Sequence, residues 1–192
     1  MGNSASASSG LPALQHVAHC ATDSFMGTWF VIGVKPTIFE KTCSNAVEVY
    51  TRVSDKKSFD VNIDFKYNKN EPIKSPMKSL PQKGWVQGDN KDDSGLWKVS
   101  PMWPIKMPYL ILEVDDEYSY TVIGYPSRDY CWIMYRKPVM PDSLYEDLTK
   151  RLEEKHQYDL KGLRKVPQVW TKEEREKRGF TEKEIPDSML SK

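Results

Sequence analysis

The sequence is short of several things, and each shortage excludes something. Its apolar runs, such as residues 29–34 and 110–112, fall far below the ~20 residues that a helix needs to cross a bilayer. Charge of one sign is missing too: 28 Lys and Arg stand against 27 Asp and Glu, so there is no overall basic footprint for nucleic acid. Cysteine is scarce. Cys20, Cys43 and Cys131 are an odd number without the paired spacing of a metal site, which fits free thiols in a reducing compartment. One Cys20–Cys43 or Cys43–Cys131 bridge stays open for a secreted form. The first Lys or Arg is Lys35, so the N-terminal stretch lacks the basic start and apolar run of a secretory signal. A nucleophile elbow, a phosphate loop and an HExxH pair are all absent. His16, His19, Cys20 and Asp23 are the one metal-like grouping, on an arm expected to be mobile, and no metal is assigned to them. The chain reads as a non-enzyme with no catalytic residue and no cofactor.

What is present reads as strand after strand. At 192 residues the chain is one ordinary domain with tails, or two very small ones. Residues 1–20, opening on small polar side chains, read as a flexible leader. Residues 171–192 mix Lys, Glu and Arg with an isolated Phe180 and read as a solvated charged tail or a loose helix. Between them, residues 59–67 give the cleanest pattern: Phe59, Val61, Ile63, Phe65 and Tyr67 alternate with Asp60, Asn62, Asp64 and Lys66. Further strands are expected at 29–34, 46–53, 82–88, 95–100, 109–114, 118–125 and 130–136, separated by Gly, Pro, Asp or Ser clusters. Eight strands at hairpin spacing predict an all-β, antiparallel, up-and-down barrel, since closure removes exposed edges. One helix follows. Ser143 and Glu146 have capping-box spacing, and Leu144, Leu148 and Leu152 make a narrow stripe that should lie on the outside of the barrel.

Certain residues carry a family resemblance. Gly27 and Trp29 open the first strand, residues 126–130 (Pro-Ser-Arg-Asp-Tyr) precede the eighth, and Arg136 closes it. These three blocks, in order and at this spacing, resemble the lipocalins. The stretches 116–120 and 130–138 look most like the branch of bacterial outer-membrane lipocalin, plant temperature-induced lipocalin and apolipoprotein D. The resemblance covers roughly residues 23–169. It implies a calyx open at one end that holds one small hydrophobic molecule: a fatty acid, lysolipid, sterol or retinoid. It also implies that Trp29 and Arg136 close the other end, with the guanidinium over the indole face. The chain departs from its look-alikes in having no cysteine after Cys131 to bridge Cys43, and no secretory or lipoprotein signal.

Strand parity proposes the ligand-facing residues. Val61, Ile63 and Phe65 should point inward, because the opposite choice buries Asp60, Asn62 and Asp64. In the last strand, the parity that takes Arg136 to the barrel end turns Trp132 and Met134 inward. The second strand is divided: period-2 reasoning turns Val47, Val49 and Val53 inward, whereas the family resemblance places Glu48 and Tyr50 there. Trp103, in the proline-stiffened loop 101–108, is expected at the rim, with core packing as the alternative. A barrel filled by side chains that serves as a scaffold, and a calyx enzyme acting on a bound lipid, are the other two readings.

The first residues suggest an address. Met1-Gly2-Asn3-Ser4-Ala5-Ser6 matches the N-myristoylation pattern, with Gly2 as acceptor. The expectation is a cytoplasmic protein, monomeric or weakly dimeric, peripheral on a membrane through that chain. It would have no nucleic-acid partner.

Overall fold

The computed structural model describes residues 10–37, 40–53 and 58–191. Eight antiparallel strands follow one another in space as in sequence. They are β1 (Gly27–Lys35), β2 (Cys43–Arg52), β3 (Val61–Lys69), β4 (Met77–Val86), β5 (Leu96–Met102), β6 (Ile105–Val114), β7 (Tyr120–Gly124) and β8 (Cys131–Tyr135). β1 pairs with both β8 and β2, so the sheet closes on itself and the barrel has no long free edge.

Trp29 and Arg136 seal one end. The guanidinium carbon lies 3.7 Å from the indole ring centre. Arg136 also donates from Nε to the Tyr118 carbonyl at 3.0 Å, from Nη1 to that of Thr28 at 3.0 Å and from Nη2 to that of Ser24 at 2.9 Å. A short helix, α1 (Thr22–Phe25), lies beneath and inserts Phe25 as a fully buried plug. Gly27 is required here. Its φ is +95° and an added Cβ would stand 3.3 Å from Arg136 Nη1, so a side chain would strain the backbone and crowd the arginine.

Two apolar layers result, one inside the barrel and one on its outer wall. Inside are Trp29, Tyr50, Val61, Ile63, Phe65, Trp97, Ile111, Ile123 and Met134. On the outer wall, Phe30, Ile32, Val47, Leu110, Leu112, Val122 and Ile133 are covered by helix α2 (Asp142–Glu154), through Leu148 and Leu152, and by Trp170, Phe180 and Ile185. The expected capping box does not form. Pro141 takes the N-cap position and Ser143 lies inside the helix, so its hydroxyl makes no cap bond.

Both tails depart from expectation. Far from being solvated, the C-terminal stretch packs back onto the wall. A two-residue strand, β9 (Arg164–Lys165), pairs with β1 at Gly33 and Val34, and helix α3 (Lys172–Lys177) follows, capped by the Thr171 hydroxyl. The Phe180 ring sits 6.0 Å from Phe30 and 5.7 Å from Trp170. The buried Arg178 donates to Glu174, to the Asn45 carbonyl and to Asn68 Oδ1, and lies over the Trp170 ring. Its few apolar residues are large and far apart, which hides their shared face from any periodicity search, and its buried charges are paired. At the other end, residues 1–9, including Gly2, lie outside the described residues. Residues 10–20 run along the barrel as a strap. Arg128 Nη2 donates to the Pro12 carbonyl at 2.8 Å, Val17 N to that of Ile111 at 2.8 Å, and Cys20 N to Asp93 Oδ1 at 2.6 Å. The strap passes so close to β5 that a Cβ on Gly95 would lie 2.4 Å from the Val17 carbonyl oxygen.

Candidate functional site: the calyx

Opposite the sealed end the barrel opens into a cavity of about 440 Å³. Its walls are apolar for a simple reason: alternate residues of β3 to β6 point inward. Ile63 and Phe65 come from β3, Leu80 and Gln82 from β4, Val99 and Pro101 from β5, and Met107 and Tyr109 from β6. At the mouth, Trp132 Nε1 donates to Glu40 Oε1 at 2.6 Å. Glu40 Oε2 accepts from the backbone N and the hydroxyl of Thr37, at 3.1 and 2.7 Å.

The polar part of the cavity lies toward the sealed end. Glu48 enters from β2, and its Oε2 accepts from the Tyr50 hydroxyl. The Tyr50 and Tyr109 hydroxyl oxygens are 2.6 Å apart. While Glu48 is ionised it takes the Tyr50 proton, and Tyr109 is then the donor in that second bond. Below them Phe25 packs against Tyr50 and Trp97, with ring centres 5.2 Å apart in both cases. Burial pushes the Glu48 carboxyl up to about 7; the Tyr50 hydrogen bond works against the rise and the Glu40 charge adds to it. Both tyrosines are raised well above their ordinary value, chiefly by burial, and stay protonated. Among the described residues, the cavity lining contains no Lys, Arg or His.

The structure assembles some of the sequence-derived residues here and separates others. Glu48, Ile63, Phe65 and Trp132 line the cavity. Tyr50 sits just beneath it, bonded to Glu48. Val61 and Met134 point inward but belong to the packed core, not to the cavity lining. Trp103 does not line the calyx. It is 68% exposed at the tip of the β5–β6 hairpin, 6.5 Å from the Trp85 ring, and Lys106 Nζ lies over both rings. The tip leans outward, and Pro101, Met107 and Pro108 face the cavity instead.

For β2, Val47 belongs to the outer layer and Val49 packs against it, while Glu48 and Tyr50 are inside. The period-2 reading failed at this strand because its outward face is also apolar, being covered by the C-terminal segment. Glu40, Leu80, Tyr109 and Tyr130 were missed. Continuing the alternation of Met107, Tyr109 and Ile111 along β6 signals Tyr109. Leu80 was hidden by Pro81, which sits opposite Asp64 within β4.

The other chemistry-bearing residues are quiet. All three cysteines are buried and free. Burial lifts the thiols of Cys20 and Cys131 to about 12 and that of Cys43 to about 11, so none offers a thiolate at neutral pH. His19 pairs with Asp93 at 2.7 Å. Among the described residues, no three His, Cys, Asp or Glu side chains are placed to hold a metal.

Residues 21–168 match the sequence model of the Lipocalin-like domain family. The chain belongs to the lipocalin-like family. Among curated relatives, temperature-induced lipocalin-1 of Arabidopsis thaliana is 28% identical over 158 residues, covering 76% of this chain and 78% of that one. Outer membrane lipoprotein Blc of Citrobacter freundii is 27% identical over 124 residues, covering 65% and 66%. Among solved structures, insecticyanin from the tobacco hornworm Manduca sexta superposes with a TM-score of 0.61 at 15% identity, covering 87% of this chain and 89% of that one. Lobster apocrustacyanin A1 gives 0.57 at 11% identity, covering 82% and 92%. These two likenesses concern the lipocalin fold alone.

Proposed function

We propose that this lipocalin-like chain carries or sequesters one small hydrophobic molecule in its calyx, without transforming it. The observation that carries the reading is the cavity itself: about 440 Å³, apolar in its walls, open at one end and closed at the other by Trp29 and Phe25. That volume suits one lipid-sized ligand, such as a single-chain lipid, a sterol or a retinoid. The buried, protonated thiols support a reading of binding without covalent catalysis.

The reading extends to location. A myristoyl chain on Gly2 would hold the protein at the cytoplasmic face of a membrane, and the outward-leaning tip of the β5–β6 hairpin supports contact there. Met102, Trp103 and Ile105 are all exposed at that tip, with Lys106 beside them.

The test is saturable uptake of the uncharged probe N-phenyl-1-naphthylamine, read as a fluorescence rise, together with mass spectrometry of an organic extract of natively purified protein. Ile63→Asp should weaken uptake by more than tenfold while the far-UV circular dichroism stays β-rich. No uptake by the unaltered protein would reject the carrier reading.

A further inference from the structure

We propose that the calyx selects amphiphiles whose polar end donates hydrogen bonds, long-chain amines first and alcohols second, and discriminates against carboxylates. The inference rests on the carrier reading and narrows its ligand class. Its basis is the direction of the hydrogen bonds at the inner end of the cavity. With Glu48 ionised, Tyr50 donates to Glu48 Oε2 and Tyr109 donates to Tyr50, so both hydroxyl protons point along the chain toward the carboxylate. Glu48 is 7% exposed, and its Oε1 accepts from no described residue although the side chain lines the cavity. What the inner end presents is therefore acceptor capacity: Glu48 Oε1 and the free lone pair of the Tyr109 oxygen.

The second acid, Glu40, is already bonded to Thr37 and Trp132 and adds negative potential near the mouth. With two carboxylates and no Lys, Arg or His among the described lining residues, an anionic head meets two repelling charges and no counter-charge there. The remaining polar side chains of the wall are Gln82 and Tyr130, which carry no charge that would reverse this. An ammonium or hydroxyl head can donate to Glu48 Oε1 while its chain fills the space between Ile63, Phe65, Leu80 and Met107.

The same site is proton-linked. The titratable groups that face Glu48 are Tyr50 on its own strand, Tyr109 on β6 and Glu40 from the β1–β2 connection; Arg136 lies beyond Tyr50, and Cys20 beyond Tyr109. The neighbouring strands β1 and β3 contribute Trp29, Ile63 and Phe65, which do not titrate. Protonating Glu48 removes its charge and converts an acceptor into a donor. Preference for an amine over a carboxylate should therefore shrink as the pH falls from 8 to 6.

Competition against bound N-phenyl-1-naphthylamine with dodecylamine, dodecanol and dodecanoate tests this. At pH 8 the amine should displace the probe at concentrations lower than the carboxylate by on the order of tenfold or more, with the alcohol between them. The ratio should fall at pH 6, and in Glu48→Gln it should fall to within about threefold. The alternative result, dodecanoate binding as tightly as dodecylamine at pH 8, overturns the inference. So does an amine preference that survives intact in Glu48→Gln. Should that variant lose its β-rich circular dichroism, the pH dependence of the unaltered protein decides, and a ratio constant from pH 8 to 6 counts against the inference. If neither the probe nor any dodecyl compound enters the unaltered protein, the carrier reading fails first and takes the inference with it.

Discussion

Arg136 lies face-on to Trp29, 3.7 Å from the centre of the ring, and spends its guanidinium protons on the carbonyls of Ser24, Thr28 and Tyr118. One side chain thus ties the end of β8 to the start of β1 and to the connection before β7. Trp29→Ala should destabilise the barrel by about 3–5 kcal/mol, as loss of a large core side chain does. Arg136→Ala should also destabilise it. Because the two residues touch, the double variant should lose about 0.5–2 kcal/mol less than the sum, measurable by denaturant unfolding of all four proteins. Strict additivity would mean that the contact contributes nothing.

Two buried carboxylates should give stability opposite slopes with pH. Burial alone would raise the Glu113 carboxyl, but hydrogen bonds from His156 and Lys155 outweigh it and hold it down, from 4.5 to about 2. The unfolded chain then binds the extra proton, so this contribution is complete above about pH 4.5 and is lost as the pH falls toward 2. Glu48 is raised from 4.5 to about 7, so the folded chain binds the extra proton and stability falls as the pH climbs through that window. Each slope should amount to about 1–2 kcal/mol after screening is allowed for. Glu113→Gln should flatten the acid limb and Glu48→Gln the neutral one, in urea titrations at pH 3, 5 and 8.

The C-terminal segment should contribute to barrel stability as a core element does. Phe180→Ala should lower it by about 2–4 kcal/mol, because the ring fills a site between Phe30 and Trp170. A solvated tail would show a change below about 0.5 kcal/mol in the same measurement.

Gly2→Ala should abolish N-myristoylation in a eukaryotic host, since an unhindered glycine amine is the acceptor. Probe uptake should be unchanged, while the membrane-bound fraction should drop, because a single chain gives only marginal and reversible binding. Intact-mass analysis and membrane fractionation read the two effects.

The barrel was legible because β3 alternates so strictly, and because turn residues punctuate the chain at hairpin intervals. Legibility fell where a strand is buried on both faces. In β2, hydrophobic parity points Val47 and Val49 inward, and only the family resemblance places Glu48 and Tyr50 in the calyx. Trp103 misled because an aromatic in a proline-rich loop looks the same whether it turns into a cavity or away from it. The bulge between Val99 and Met102 that accompanies the outward lean of the hairpin leaves no mark in composition. Phe180 and Ile185 were invisible as core residues because what buries them lies far away in sequence.

β1 and β2 pair only from Gly27 to Phe30, and beyond that point residues 164–168 lie between them. Gln168 donates to the carbonyls of both Val31 and Ala46, Asn45 N donates to that of Pro167, and Arg164 donates to those of Glu40 and Cys43. The chain's late residues thus act as a keystone in the rim. The entrance cannot spread by parting its first two staves until that stone is drawn, so the width of the doorway is set by a stretch of sequence that does not line the cavity.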